Sequence, residues 1–182
     1  MTIYTDEILQ ECVEAVSELL TPTLQAIDEN ITGVHFFQGH PLEVIQELTK
    51  LSLAGIDFKK ARYPMVALFR DYPEDKGSEV GIYSEVTWNI IIAKRTEPTY
   101  NTAKRKDLSF KPILHPIWDA LEAEMMNRAE FNTSGVGLDY QQIDHYFWGR
   151  EGLFGSEKNI FLDWIDCIEI KNLNLKIKNI NC

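Results

Sequence analysis

The side chains able to do chemistry are few and scattered. Histidines stand at His35, His40, His115 and His145. No two are four residues apart, and no HExxH is present, so the helical spacing of a zinc site is missing. The richest carboxylate group is Asp163, Asp166 and Glu169. Asp166 and Glu169 are three apart, so in a regular strand they face opposite ways. A shared metal would need a bulge or help from Asp144 and His145. The set Asp144, His145 and Asp163 is therefore the only support for a small metal-dependent hydrolase. Carboxylates flanking strands are mostly solvated or paired surface groups. No catalytic residue, metal ligand or cofactor is expected on this reading.

Other motifs are equally bland. There is no GxSxG elbow, P-loop or GxGxxG fingerprint. The glycines of 135–137 and 149–155 read as flexible turns, not phosphate cradles. The three cysteines are Cys12, Cys167 and Cys182. Their odd number and wide spacing fit reduced thiols, with no disulfide framework. Cys12 falls on an apolar helix stripe and Cys167 in an apolar strand, so both read as small core residues. Cys167 has no cationic sequence neighbour to activate it. The aromatic run His145-Tyr146-Phe147-Trp148 suits a core strand first and a partner-binding surface second.

Charge is distributed unevenly. Residues 94–111 hold six cations, Lys94, Arg95, Lys104, Arg105, Lys106 and Lys111, against Glu97 and Asp107. That stretch is net +4 on a chain of net −10, so the remainder carries −14. Such segregation suits a solvated loop or a protruding arm that meets an acidic neighbour. In a homo-oligomer that neighbour can be the chain's own body. The arm is expected to be an extended hairpin tip or loop, with Lys94, Arg95, Lys104, Arg105 and Lys106 at a subunit or partner interface.

The elements that would position these residues follow from periodicity. Residues 6–20 read as an amphipathic helix with Ile8, Cys12, Val16, Leu19 and Leu20 inward, Thr5 as N-cap, and Pro22 ending it or starting a new turn. A short strand is expected over 33–37. Pro41 opens a second helix whose buried face is Leu42, Ile45, Leu48 and Leu51. The strand 64–70 is apolar on both alternating sets and so belongs in a covered, central position. Residues 71–77 form a loop, and 82–93 form a strand with Val86, Trp88, Ile90 and Ile92 on one face. A helix starting between Ser109 and Pro116 carries Phe110, Ile113, Leu114, Ile117, Trp118, Leu121 and Met125 inward. Residues 127–141 are loop-like, 143–148 a candidate strand, and 160–170 and 172–178 the closing strands. Strands in consecutive runs favour an α+β domain with a mostly antiparallel sheet and two or three helices packed on it.

The whole chain, 182 residues long, is the size of one domain and can bury a core without staples. A net charge of −10 disfavours non-specific phosphate binding, so no sequence-specific nucleic-acid partner is expected. No apolar run is long enough to span a membrane, and the first seven residues lack the basic, apolar character of a signal peptide.

The chain resembles the tail terminator (tail completion) proteins of long-tailed bacteriophages. The resemblance lies in the helical N-terminus, the strand Tyr63-Pro64-Met65-Val66-Ala67-Leu68-Phe69 and the long strand from Val86 to Ala93. It continues in the polar connector ending Phe110-Lys111-Pro112-Ile113-Leu114, the helix behind it, and the closing Asp163-Trp164-Ile165-Asp166-Cys167-Ile168-Glu169-Ile170 with Asn172-Leu173-Asn174-Leu175. Residues 127–159 have no close counterpart. The resemblance implies one small α+β domain over 1–182 and a non-enzymatic virion protein, assembled in the host cytoplasm and found in the tail or neck. It implies a homo-oligomeric ring, a hexamer first, capping the head-proximal end of the tail tube. Such a ring ends tube polymerisation and offers the surface for head–tail joining, so the expected partners are the tail tube protein and a head–tail connector or neck protein. Another neck or adaptor protein of the same virion is the nearest alternative.

Overall fold

The computed structural model describes residues 5–53, 62–69, 74–75, 83–132, 137–146 and 164–178. Phe147, Trp148, the glycines of 149–155, Asp163 and Cys182 lie outside these, as do the side chains of Leu42 and Ile45. The elements are α1 (Thr5–Ile27), β1 (His35–Gly39), α2 (Pro41–Leu53), β2 (Met65–Phe69), β3 (Glu74–Asp75) and β4 (Tyr83–Arg95). There follow α3 (Thr102–Arg105), a π-helical segment (Lys106–Leu114), α4 (His115–Asn127), β5 (Asp139–His145) and β6 (Ile165–Lys178). The fold is α+β, as the clustering of strands implied.

The sheet runs β1-β2-β4-β6-β5, with the two-residue β3 beside β4. Among the described strands only β1 and β2 pair in parallel, and α2 lies in the crossover that parallel neighbours require. The β2–β4, β4–β6 and β5–β6 ladders are antiparallel. Strand β2 has Met65 through Leu68 all buried, because neighbours flank it and both faces are covered.

Alternation divides the core between two faces of this sheet. Val66, Leu68, Trp88, Ile90, Ile92, Ile168 and Ile170 meet α1 and the long helix. Met65, Ala67, Ile91, Ala93, Ile165 and Cys167 meet Val44 and Leu48 of α2. The two clusters share the strands between them, so one sheet serves both.

Several boundaries depart from the sequence expectation. Helix α1 runs through Pro22 to Ile27, beyond the expected span of 6–20. The proline removes one backbone donor, and nearby Thr21 Oγ1 donates to the Ser17 carbonyl. Ser17 Oγ also accepts from the Val34 amide at 2.8 Å, tying α1 to the entry of β1. A Cβ at Gly33 would lie 2.8 Å from that same oxygen, which makes a side chain there a steric conflict. Leu19, expected inside, is 69% exposed. The start of α2 uses Pro41 at its first turn, and Glu43 reaches back to accept from the His40 amide at 2.9 Å, as in a capping box.

The two expected closing strands, where described, join into one strand, β6 (Ile165–Lys178), interrupted by a bulge. Trp88 opposes Leu173 while Ile90 opposes Ile170, so β6 carries the extra residue. Asn172 takes it up at φ 54°, and its amide donates to Asn89 Oδ1 at 3.1 Å. The bulge restores inward pointing for Leu173, Leu175 and Ile177 after Ile168 and Ile170. Strand β5 begins at Asp139, inside a stretch expected to be loop, and Phe131 bridges Ile177.

The helix after β4 starts at Thr102, well before Ser109, and its backbone remains helical through the joints at 105–106 and 114–115. Phe110, Ile113, Leu114, Ile117, Trp118, Leu121 and Met125 are all buried, as their spacing implied. The π-helical turn accommodates Pro112, and the His115 amide reaches back five residues to Phe110. This long helix lies antiparallel to α1. Arg128, just past its C-terminus, bonds Glu11 in the first half of α1, while Leu108 and Ser109 nearer its N-terminus line one cavity with the end of α1.

Candidate functional site

A cavity of about 740 Å³ opens where β4 leaves the sheet. Its walls come from Ile27–Ile31 at the end of α1, Lys94–Glu97 at the end of β4, the turn at Tyr100, and Leu108 and Ser109 of the π-helical segment. Tyr63, at the entry to β2, closes another side. The cleft thus wraps around the edge where sheet and helical layer end together.

Lys94 has the same parity as Ile90 and Ile92, so it leaves the helix-facing side of the sheet and enters the cleft. Its Nζ stands 3.6 Å from Asp28 Oδ2. Burial pushes the Lys94 ammonium below the ordinary lysine range, against the pull of Asp28 and Asp166. Burial raises the Asp28 carboxyl, but hydrogen bonds from Asn30 and the charge of Lys94 outweigh it and leave the group below its usual value. The pair fastens the end of α1 to the end of β4.

Behind the wall lies a buried ion pair. Arg105 Nη1 donates to Asp166 Oδ1 at 2.8 Å, with side-chain exposures of 1% and 0%. Nη1 also donates to Thr96 Oγ1 at 3.0 Å, Nη2 to the Glu97 carbonyl at 2.7 Å, and Nε to the Tyr100 carbonyl at 2.9 Å. One guanidinium therefore holds the start of β6, the exit of β4 and the turn that leads into α3. Three of the residues it grips, Thr96, Glu97 and Tyr100, line the cleft. Planar, five-donor geometry suits arginine to this task; a lysine could not make the same fork. Cross-strand register places Lys94 directly opposite Asp166, which concentrates charge at this corner of the sheet.

The five interface residues expected from sequence separate here. Lys94 is half-buried in the cleft, and Arg95 is exposed at its rim. Lys104 is exposed, with its ammonium 4.1 Å from the Tyr100 ring centre, and Lys106 is exposed about half a turn further on. Arg105 is the correction: it is a buried core residue and offers no charge to a rim. The extended arm is also corrected. Lys94 and Arg95 end a strand, and 102–111 is helical, because Phe110, Ile113 and Leu114 belong to a helix that starts earlier than the prolines suggested.

The two described members of the hydrolase set, Asp144 and His145, do not converge. Asp144 and His145 are neighbours on β5 and so point to opposite faces. Asp144 Oδ2 stands 3.4 Å from His115 Nε2 on the helix side, while His145 Nε2 contacts Glu169 Oε2 at 2.7 Å on the other. Asp163 lies outside the described residues. Among the described residues no three His, Cys, Asp or Glu side chains gather as metal ligands. Burial drives the Cys12 thiol up to about 12 and raises Cys167 well above its ordinary value, so neither is poised as a thiolate. Tyr146, from the aromatic run, lies against Phe110 at 4.7 Å between centroids and is 39% exposed.

Sequence reasoning missed the Arg105–Asp166 pair. A usable signal was present: Asp166 stands among Ile165, Cys167 and Ile168, and a carboxylate in an apolar strand needs a cation. Comparison with protein-family models, curated proteins and solved structures gives no match in any of the three.

Proposed function

We propose that this chain is a structural subunit that acts as one copy in a homo-oligomeric ring, as tail terminator proteins of long-tailed bacteriophages do. In this reading the ring caps the head-proximal end of a tail tube, ends its polymerisation and offers the head connector a joining surface. It works in the virion tail or neck without catalysis. The supporting observation is the character of the cleft. Ile27 and Leu108 on its walls are 44% and 41% exposed, beside exposed Arg95 and Glu97. An open depression with apolar walls and charged rims has the make-up of a protein–protein contact.

The test is image reconstruction of particles from a cell that makes this chain. A closed ring of identical copies, six first, at the head-proximal end of a tail tube is the expected result. A single copy, an off-axis position or absence from the particle overturns the reading. Twelvefold symmetry at the neck would instead assign the chain as an adaptor.

A further inference from the structure

We infer that the second half of α1 is a docking face for an α-helix of a different protein, one with an apolar seam bordered by lysine or arginine. The inference goes beyond the ring reading, because its partner is not another copy of this chain. Leu9, Cys12, Val16, Leu19, Thr23 and Ala26 follow one another at alternating steps of three and four residues. That 3.5-residue period draws one seam along the helix, the pattern by which helix packs on helix. The first three residues of the seam are buried. The last three are exposed, Leu19 at 69%.

The buried half is covered by a helix of the same chain. There α1 packs against α4, and the Cys12 thiol lies in the field of Arg128 and Glu124 at the end of α4. In its later turns α1 is fastened by another side. Leu24 is buried, and Ser17 Oγ accepts from the Val34 amide. The seam therefore emerges from the core at Leu19 and runs on uncovered. A lone exposed leucine is ordinary. An exposed seam in register with a helix-covered one is a surface shaped for a helix. Thr23 and Ala26 are small and let a partner backbone approach closely. Ile27, 44% exposed, widens the apolar strip at the cleft end.

Charge decides the kind of helix. Helix α1 holds five carboxylates and no lysine or arginine. Glu11, Glu14 and Glu18, all exposed, make the helix surface beside the seam acidic. At its far end Lys94 is met by Asp28, and Arg95 shares the cleft wall with Glu29 and Glu97. Two copies pairing through this face would set carboxylate against carboxylate, and an anionic lipid surface would meet the same repulsion. A helix with basic borders gains from the same field.

The experiment titrates the purified full chain, by fluorescence anisotropy, into a labelled synthetic helix of about three heptads with leucine along its seam and lysine beside it. Two comparison peptides carry glutamate beside the seam, or the same leucines and lysines scrambled off one face. The lysine-bordered helix should bind at least about tenfold more tightly than either. Leu19→Asn/Ala26→Asn leaves the charge unchanged and should weaken that binding by about tenfold or more. Glu14→Gln/Glu18→Gln should weaken it less and reduce its salt dependence. Both pairs of residues are exposed, and circular dichroism checks folding; Leu19→Ala alone replaces the double variant if that one unfolds, with a smaller loss in the same direction. Equal binding of the scrambled peptide, or unchanged affinity in the seam variant, overturns the inference. So does wild-type chain that dimerises in sedimentation, or sediments with phosphatidylglycerol vesicles, through a surface that Leu19→Asn/Ala26→Asn abolishes. Ring assembly is read separately in particles, so a failed titration leaves that reading standing, and a failed reconstruction leaves this one.

Discussion

Arg105 shows how far residue type alone can mislead. In sequence it sits between Lys104 and Lys106 and reads as one of three solvated cations. In the fold it is the most connected side chain at the cleft, with Asp166, Thr96 Oγ1 and two carbonyls on its guanidinium. Arg105→Ala should cost roughly 3–5 kcal/mol, because it strands a carboxylate that has 0% exposure. The double replacement Arg105→Met/Asp166→Leu should recover much of that loss, since the desolvation penalty of both charges disappears together. Urea unfolding followed by tryptophan fluorescence reads both. Equal stability of Arg105→Ala and wild type would contradict the buried pair. The neighbouring Lys104→Ala, on an exposed side chain, should change stability by no more than about 1 kcal/mol.

At the scale of elements, two irregularities carry the geometry. The π-helical turn lets a helix with prolines at 112 and 116 continue, and it delivers Leu108 and Ser109 to the cleft while Phe110 and Ile113 stay buried. The bulge in β6 does the same for a strand. A 14-residue strand with apolar residues at 168 and 170 and again at 173, 175 and 177 changes parity midway. Without one extra residue, half of that set would face the wrong side. Asn172 adopts the left-handed conformation that absorbs it, a role asparagine fills better than most residues. Asn172→Gly should therefore stay within about 0.5 kcal/mol of wild type. Asn172→Val should lose roughly 1–2 kcal/mol, because a β-branched side chain clashes there. Thermal melts of the two variants decide it, and equal melting temperatures would show that the bulge is not built on that conformation. The alternation of Leu173, Leu175 and Ile177 was legible as a strand. Its continuity with 165–170 was not, because a parity break in sequence reads as two strands.

For the whole molecule, the β4–β6 ladder is the spine. It runs from Tyr83–Lys178 to Arg95–Ile165; apolar packing covers one face along its length, and α2 covers the other only at the Ile91–Ala93 end. Local opening is rarest where backbone hydrogen bonds lie under packed apolar layers on both sides. Amides of Ile90–Ala93 and Cys167–Ile170 should therefore exchange slowest with deuterated solvent. Those of β5, whose residues are half-buried or exposed, should exchange faster. Mass-spectrometric exchange that protects β5 as strongly as the β4–β6 centre would contradict this division.

The sequence by itself determined what repeats along the chain. Stripes at 3.6 and alternation at 2.0 marked the helix carrying Phe110 to Met125, the doubly apolar β2 and the inward face of β4, because local periodicity is set by backbone geometry. It also marked the charge contrast between 94–111 and the rest. Tertiary structure alone decided which cations are available to a partner. Arg105 is spent on Asp166, 61 residues away, and Lys94 on Asp28, 66 residues away in the other direction. Pairing across such distances depends on strand register and helix direction, which no local pattern records.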